Sequence, residues 1–149
     1  MVKVMPSLAC ESRRYLLRKD GMGFSFHETV VYRGKSLFIH YLNHVEAVFI
    51  TKGSGWIEIV GKREDRGKGT PYALAAGTMY ALNGHEKHFL GAADHEDMHC
   101  ICVFLPPCVG VEVQNEDGVF PFIGDDGIPD YDYWRKSSAA AVKATDKPS

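Results

Sequence analysis

Short runs of β-branched and aromatic residues, many with alternating polar positions, fill the middle of the chain. Alternation with a period of two predicts β-strands that bury one face, and glycine, asparagine and aspartate between the runs mark turns. No strongly amphipathic helical stretch and no internal repeat accompany these runs. The pattern predicts seven strands: Ser25–Tyr32, Leu37–Tyr41, Val45–Thr51, Trp56–Val60, Thr78–Leu82, Lys87–Leu90 and Met98–Phe104.

The turn signals between the runs indicate how the strands are connected. Asn83-Gly84 separates the strands that carry Tyr80 and His88. Asn-Gly is the pair favoured in type I′ hairpins, so we expect these two strands to lie side by side. Short strands at regular spacing predict an all-β fold, either a sandwich or a closed antiparallel barrel with few short helices.

The composition changes near residue 124, which predicts a boundary there. Residues 1–124 fit one domain with one core. Residues 125–149 are acidic and aromatic at first and then small, polar and repetitive, so we expect a partly disordered C-terminal extension. Its aromatic residues could dock onto the domain: Tyr131, Tyr133 and Trp134.

The overall composition is that of an ordinary globular protein, with 45% hydrophobic and 24% charged residues among 149. The net charge of −2 gives no basic field for nucleic acid or an anionic membrane, which favours a small-molecule ligand. No apolar run is long enough for a transmembrane helix or a signal peptide. The four cysteines lack the spacing of a disulfide framework, which predicts reduced thiols and a cytoplasmic protein.

The segment from Gly34 to Gly53 holds the first candidate site residues. His40, His44 and Glu46 share parity, so a continuous extended strand would direct all three to one face. Glu46 lies in an otherwise apolar run, where an unpartnered charge is unfavourable to bury. This combination predicts a metal or ligand site.

The glycine spacing resembles that of the cupin superfamily. Gly34, His40, Glu46 and Gly53 match the first cupin motif, although Leu42 stands where a second histidine is usual. The second motif follows with Gly69 and Gly77, with Ala75 in place of its proline and Tyr80 where its histidine is usual. The spacing therefore predicts a small barrel with an altered metal site, to which Glu46, Tyr80 and His88 converge from three strands.

Each of these residues also has an ordinary structural interpretation. A strand histidine such as His40 or His44 is commonly a surface or hydrogen-bonded residue, and a strand tyrosine such as Tyr80 commonly packs in the core. Glu46 could form a structural ion pair. The remaining polar candidates are interpreted as surface histidines (His85, His95 and His99), and Cys100 and Cys102 as small core residues.

Longer strings resemble the ectoine synthase family, in the family's order, over roughly residues 12–122. They are Ser12-Arg13-Arg14, the run from Asp20 to Thr29, His40 to Val48, Gly77 to Leu82, His85 to His88, Val103 to Pro107, Gly110 to Val113 and Glu116 to Val119. The resemblance implies a cytoplasmic homodimeric cupin that binds iron (Fe2+) and forms the compatible solute ectoine, used under osmotic stress. The substrate would be N4-acetyl-L-2,4-diaminobutyrate and the reaction that of a hydro-lyase.

Residue by residue, the resemblance implies three sets of site residues. The metal ligands are Glu46, Tyr80 and His88. The substrate-binding residues are Arg14, Thr29, Tyr41, Phe104 and Glu112, and Glu112, Tyr41 and His44 are the catalytic acid and base candidates. Arg14 would pair with the substrate carboxylate, and Phe104 would exclude water.

Three positions depart from the family pattern. Cys10 stands nearest to an expected tryptophan, and His27 and Gln114 occupy positions where asparagine and histidine also occur in relatives. Alternative functions therefore stay open: an iron-dependent oxygenase, a divergent enzyme acting on another N-acetylated amino acid, or a non-catalytic small-molecule-binding cupin.

Overall fold

The computed structural model describes residues 2–145, with the side chains of residues 2–139. This part of the chain forms twelve β-strands and one α-helix. The strands are β1 (Lys3–Pro6), β2 (Cys10–Leu16), β3 (Ser25–Val31), β4 (Ser36–Ile39), β5 (Val45–Lys52), β6 (Ser54–Ile59), β7 (Tyr72–Ala75), β8 (Met79–Leu82), β9 (His88–Ala92), β10 (Met98–Leu105), β11 (Phe122–Ile123) and β12 (Pro129–Asp130). The helix α1 spans Tyr133–Thr145.

The strands form two main antiparallel sheets. One has the order β1-β2-β3-β10-β5-β8, the other has the order β4-β9-β6-β7, and β11 pairs separately with β12. The buried core draws on both sheets, with Val48, Ile50 and Met98 from the larger sheet and Ile57 and Leu90 from the smaller one. The sheets therefore face each other across a shared interior, and the prediction of an all-β, jelly-roll-like barrel is confirmed.

Alternation along β5 and β10 selects the side chains that enter the barrel. In β10 every second residue from Met98 to Phe104 is buried, and in β5 the buried positions include Glu46 and Val48. The register of the two strands sets Phe104 opposite Glu46, so an aromatic ring and a carboxylate lie on neighbouring strands of the inner face.

All seven predicted strands are present, with ends that differ by a few residues. The pattern missed five strands, β1, β2, β7 and the short β11 and β12. The helix α1 forms where an irregular tail was expected, and residues 146–149 lie outside the described residues. The boundary at residue 124 stays a prediction. No helix among the described residues is long and apolar enough to cross a membrane.

The prediction of a hairpin at Asn83-Gly84 is wrong. β8 pairs with β5 in the larger sheet, whereas β9 pairs with β4 and β6 in the smaller one, so this connection crosses between sheets. The residue with a positive φ here is His85, at 57°. A ring nitrogen of His85 lies 2.8 Å from the carbonyl oxygen of Tyr41, which holds the crossing against the segment before β5.

An unbroken strand, the condition for placing His40 and His44 on one face, does not form, which agrees with the separate strands predicted at Leu37–Tyr41 and Val45–Thr51. β4 ends at Ile39, and residues 40–44 form a bend before β5 starts at Val45. His40 therefore lines a cavity on the outside of the barrel, whereas His44 is buried near the interior aromatic rings. Shared parity in the sequence does not imply a shared face once the strand is interrupted.

Candidate metal and substrate site

A cavity of about 50 Å³ lies inside the barrel. The lining includes seven positions that were predicted for the site or depart from the family pattern: Cys10, His27, Thr29, Tyr41, Glu46, Phe104 and Gln114. A second cavity of about 250 Å³ adjoins it on the outer side. Both are lined by five shared residues: Cys10, Ser12, Leu37, Gln114 and Phe120. The inner space is that of one or two water molecules, so a larger ligand would extend outward past these residues.

In the part of the chain that the structure describes, buried polar atoms without a hydrogen-bond partner occur on two residues that line the inner cavity, on one that lines the adjoining cavity, and on three others. Among the described side chains, six buried nitrogen or oxygen atoms have no hydrogen-bond partner: Arg14 Nε, His27 Nε2, His44 Nδ1, Glu46 Oε2, the Tyr80 hydroxyl and His88 Nε2. Five of the six belong to residues predicted for the site. Because buried polar groups in folded proteins are nearly always hydrogen-bonded, a cluster of orphans indicates a place for a ligand or ion.

The three predicted metal ligands approach from both sheets. Glu46 lies on β5 and Tyr80 on β8, where its register partner is Val48, whereas His88 enters from β9. Tyr41 lies among them, because its ring is 6.4 Å from that of His88 and the charges of Glu46 and Tyr80 both raise its pKa. The carboxylate, the phenol and the imidazole therefore surround one interior region.

The hydrogen bonding of His88 leaves one ring nitrogen suited to a metal. Nδ1 lies 3.0 Å from the backbone carbonyl oxygen of Glu86, to which it donates when protonated. This contact fixes the tautomer in which Nε2 carries a lone pair, and Nε2 is the atom without a partner.

Burial disfavours the charged form of each candidate ligand in the protein alone. It raises the pKa of Glu46 well above its ordinary value, with the Cys102 thiol adding to the shift. Burial and the charge of Glu46 raise the pKa of Tyr80 in the same way, and burial lowers the pKa of His88. A cation between these donors would reverse the penalty for the carboxylate and phenolate, so the donor set fits a metal ion.

The described residues contain no group of three or more His, Cys, Asp and Glu side chains placed to hold a metal. The predicted set has only two residues of these types, since its third member is a phenol. The fit therefore rests on Glu46, Tyr80 and His88 together and on their three orphaned atoms.

Arg14 and Glu112 form a buried pair beside the cavity. The Nη1 atom of Arg14 lies 3.5 Å from a carboxylate oxygen of Glu112, and Nη2 donates to the Glu112 carbonyl oxygen at 2.9 Å. The carboxylate also accepts the backbone N–H groups of Val109 and Gly110. Glu112 therefore orients Arg14 and closes the 109–112 turn, and the Nε of Arg14 is left available for an anionic group.

Aromatic rings enclose the rest of the cavity. The ring of Phe104 lies 5.0 Å from those of Tyr41 and His27 and 6.2 Å from that of His44, measured between centroids. Phe120 completes the wall at 5.1 Å from Tyr41. Sequence reasoning missed Phe120, because it lies in a turn-rich segment without strand alternation. These rings limit access of water to the polar atoms.

The structure also places Thr29 in the cavity wall and packs His85 against the C-terminal segment. The Thr29 hydroxyl accepts from the Cys102 thiol at 3.6 Å and lines the cavity. His85 was predicted as a surface residue, but it is half-buried and its ring packs 4.7 Å from that of Trp134. The backbone N–H of Trp134 donates to Asn43, so docking of this segment on the barrel is confirmed.

Four cysteines lie in the described part of the chain, and the interpretation of Cys100 and Cys102 as small core residues is confirmed. All four thiols are unpaired there. Cys100 and Cys102 are buried in the core on adjacent inward positions of β10, with their sulfur atoms 3.9 Å apart.

The pH dependence of stability tests the environment of His27. Burial, followed by the charges of Arg14 and His44, lowers the pKa of His27 from 6.5 to about 3. Between these values the unfolded chain binds a proton that the folded chain does not, so stability falls as the pH falls. Below pH 6 the free energy of unfolding, measured by urea titration, is expected to fall with pH by about 1.4 kcal/mol per pH unit less in the His27→Asn variant than in the unmodified protein. If the free energy of unfolding changed equally with pH in the two proteins, the low pKa assigned to His27 would be wrong.

The fold and site together define the chain as a cupin-type protein: an antiparallel barrel with a carboxylate, a phenol and an imidazole buried inside it. The crystal structure of FeII HppE superimposes with a TM-score of 0.59 over 70% of this chain and 56% of that chain. At 14% identity, this similarity concerns the fold alone.

The chain belongs to the ectoine synthase family, whose sequence profile matches residues 3–123. The L-ectoine synthase of Vibrio parahaemolyticus is 46% identical over 113 residues, which cover 76% of this chain and 83% of the relative. The crystal structure of ectoine synthase from P. lautus is also 46% identical, with a TM-score of 0.63 over 72% of this chain and 71% of that one. The resemblance predicted from the sequence is confirmed.

Proposed function

We propose that this protein is an iron-dependent ectoine synthase that closes N4-acetyl-L-2,4-diaminobutyrate into ectoine and releases water. The observation that carries the proposal is the cluster of unpartnered buried atoms on the very residues that the family resemblance implies. In the reaction, a C–N bond forms between the α-amine and the acetamide carbonyl carbon. The C–O bond of that carbonyl breaks, and its oxygen leaves as water with two protons.

Glu46, Tyr80 and His88 would hold the metal. Their oxygen-rich donor set suits a ferrous ion better than a soft metal ion. When bound, the metal supplies Lewis acidity toward the amide carbonyl, which is otherwise a poor electrophile.

The remaining residues orient the substrate and move protons. Arg14, held by Glu112, presents its free Nε to the substrate carboxylate. This anchors one end of a short chain at the outer side of the cavity and favours the folded, ring-closing conformation. Phe104 and Phe120 exclude the water that would drive the reverse hydrolysis.

Among the acid and base candidates, we assign the role of proton acceptor to His44 because it has an unpartnered ring nitrogen, although its low pKa makes it a weak base. Burial lowers its pKa to about 4, so its imidazole is neutral near pH 7, and its Nδ1 has no partner. Glu112 is less available because its carboxylate already accepts two backbone N–H groups. Tyr41, whose pKa burial raises, keeps its proton and can donate to the departing oxygen.

We also propose that the protein is a cytoplasmic homodimer. The outer face of the larger sheet exposes apolar side chains on adjacent strands: Phe49, Met79 and Leu105 are each about half exposed or more. Phe49 and Met79 are direct cross-strand partners. Contiguous apolar surface of this kind favours burial against a second copy.

Replacing Phe49 and Met79 together with aspartate is expected to convert the dimer into a monomer, because two charges would be buried at the interface. Light scattering after size-exclusion chromatography measures the change. Tyr72→Asp, an exposed position of β7 in the other sheet, serves as control. A double variant that stays dimeric would assign the interface to another face.

One observation favours a second candidate, a divergent enzyme for another N-acetylated amino acid. The three departures from the family pattern, Cys10, His27 and Gln114, all line the inner cavity. The two functions are separated by incubating the iron-loaded protein with N4-acetyl-L-2,4-diaminobutyrate and identifying the products by NMR. Ectoine supports the proposal. Free acetate, or unreacted substrate with the metal bound, would favour the divergent enzyme, and oxygen consumption would indicate an oxygenase.

A further inference from the structure

Another cavity, separate from the two described above, lies on the outside of the barrel, and we call it the outer basic cavity. It encloses about 310 Å³ and shares no lining residue with the inner cavity or its outward extension. Its walls come from the end of β4, the loop after β6, the residue before β9, the 115–119 turn and the start of α1. Segments distant in sequence therefore converge to form it.

The cavity combines an apolar floor with a buried imidazole. Phe38, Leu42 and Val119 contribute the apolar surface, and the last two are buried. His40 lines the same floor and is only 9% exposed, and among the described residues its ring has no hydrogen-bond partner. A floor of this composition suits the carbon skeleton of a small molecule.

Basic side chains surround this floor. There are four of them: Lys62, Arg63, Lys87 and Arg135. The two arginines already have partners in the structure. Arg63 stacks over Phe38, with 4.7 Å from guanidinium to ring centroid, and Arg135 pairs with Asp132 at 3.2 Å. Lys62 and Lys87 form no ion pair within residues 2–139.

Two further acidic residues, Glu64 and Asp117, also line the cavity. The lining thus carries four basic and three acidic side chains, a net charge of +1. The positive field reaches the floor, because after burial the charges of Lys87 and Arg135 are the next causes that lower the pKa of His40.

We propose that the outer basic cavity binds a small organic anion, with its apolar body on Phe38 and Leu42 and its charged group between Lys62 and Lys87. Neither lysine forms an ion pair with the side chains that the structure describes, and each can donate three hydrogen bonds to an oxyanion. The apolar floor selects an organic anion over a bare inorganic one, since an inorganic ion would leave Phe38 and Leu42 uncovered.

The test is titration calorimetry of the full chain with phenyl phosphate, with inorganic phosphate and phenol as comparison ligands. Phenyl phosphate is expected to bind saturably and more tightly than either comparison ligand. The Lys62→Ala/Lys87→Ala double variant should weaken binding about tenfold, the loss of two partly exposed charge contacts. Lys68→Ala is the matched control, because Lys68 lies on the same loop, pairs with Asp65 and does not line the cavity.

A variant that is expected to bind more tightly distinguishes a specific effect on ligand binding from a loss of binding caused by misfolding. Asp117→Asn removes a like charge from the cavity, so it should tighten phenyl phosphate binding several-fold. Two results would overturn the proposal: no saturable binding, or binding that survives the double lysine substitution unchanged. Because the titration contains no substrate and needs no bound metal, its outcome is independent of whether ectoine is formed.

Discussion

Glu46→Gln is expected to lose both the metal and ring closure. Glutamine preserves the volume of the side chain, but it removes the charge from the buried carboxylate whose Oε2 atom has no protein partner. Loss of a carboxylate ligand removes the Lewis acid, a contribution of several kcal/mol to the barrier, so the rate should fall by about a thousandfold or more. Metal analysis of the purified variant and chromatography of ectoine measure the two effects.

Glu28→Gln provides the matched control. Glu28 lies on the outer face of the same sheet, where it pairs with Arg13 and His99 and is far less buried than Glu46. This variant should keep its metal and its rate. If Glu46→Gln retained a full complement of metal, the proposed ligand set would be wrong.

Arg14→Met is expected to lower both stability and activity. The side chains of Arg14 and Glu112 are 3% and 2% exposed, so removing the cation leaves a buried carboxylate without its countercharge. Breaking such a pair costs about 3 kcal/mol or more of the free energy of unfolding, measured by urea titration. Ectoine formation should also fall, because the anchor for the substrate carboxylate is lost.

The Arg14→Met/Glu112→Gln double variant separates these two roles. It removes the uncompensated charge but keeps an acceptor oxygen for only one of the two backbone N–H groups, since Val109 and Gly110 donate to different carboxylate oxygens, so part of the lost stability should return. Activity should stay low, since nothing replaces the guanidinium. A stable double variant with normal KM and kcat would show that Arg14 has a structural role only.

The strands that bury one face could be predicted from the sequence. β5 and β10 are runs rich in apolar, β-branched and aromatic residues, and along them buried side chains alternate with more exposed ones because the inner face packs on the opposite sheet. β2 was missed because its outward residues are charged: Arg13 pairs with Glu28 across the strands, and inward Arg14 is itself a cation. Strand propensity does not reveal ion pairs that form only after the sheet has assembled.

Two local signals were outweighed by tertiary structure. Asn83-Gly84 has the sequence of a tight hairpin, yet the chain uses this segment to cross from β8 to β9 in the other sheet. The helix α1 was missed because its small, polar composition was interpreted as an irregular tail. Alanine and lysine are also strong helix formers, and the start of the helix is fixed by the hydrogen bond to Asn43.

Some residues of the candidate site could be predicted from the sequence and others could not. Glu46 could be predicted from physical principles, because a carboxylate in an apolar run calls for a partner. Tyr80 and His88 depended on motif spacing and family resemblance, since neither residue type is unusual on a strand. His27 was noted only as a departure from the family pattern and Phe120 was not noted. Their contributions depend on cross-strand or sequence-distant neighbours, Arg14 for His27 and Tyr41 for Phe120.

Ring closure is expected to require the metal that Glu46, Tyr80 and His88 would hold, and a paired time course measures this requirement. Protein stripped with a chelator and the same protein reloaded with ferrous iron under anaerobic conditions are incubated with N4-acetyl-L-2,4-diaminobutyrate, and ectoine is followed by chromatography. Ectoine is expected only after reloading, in proportion to the iron bound. Equal rates in the two samples would show that ring closure does not need the metal. No ectoine from the iron-loaded protein would overturn the proposed activity.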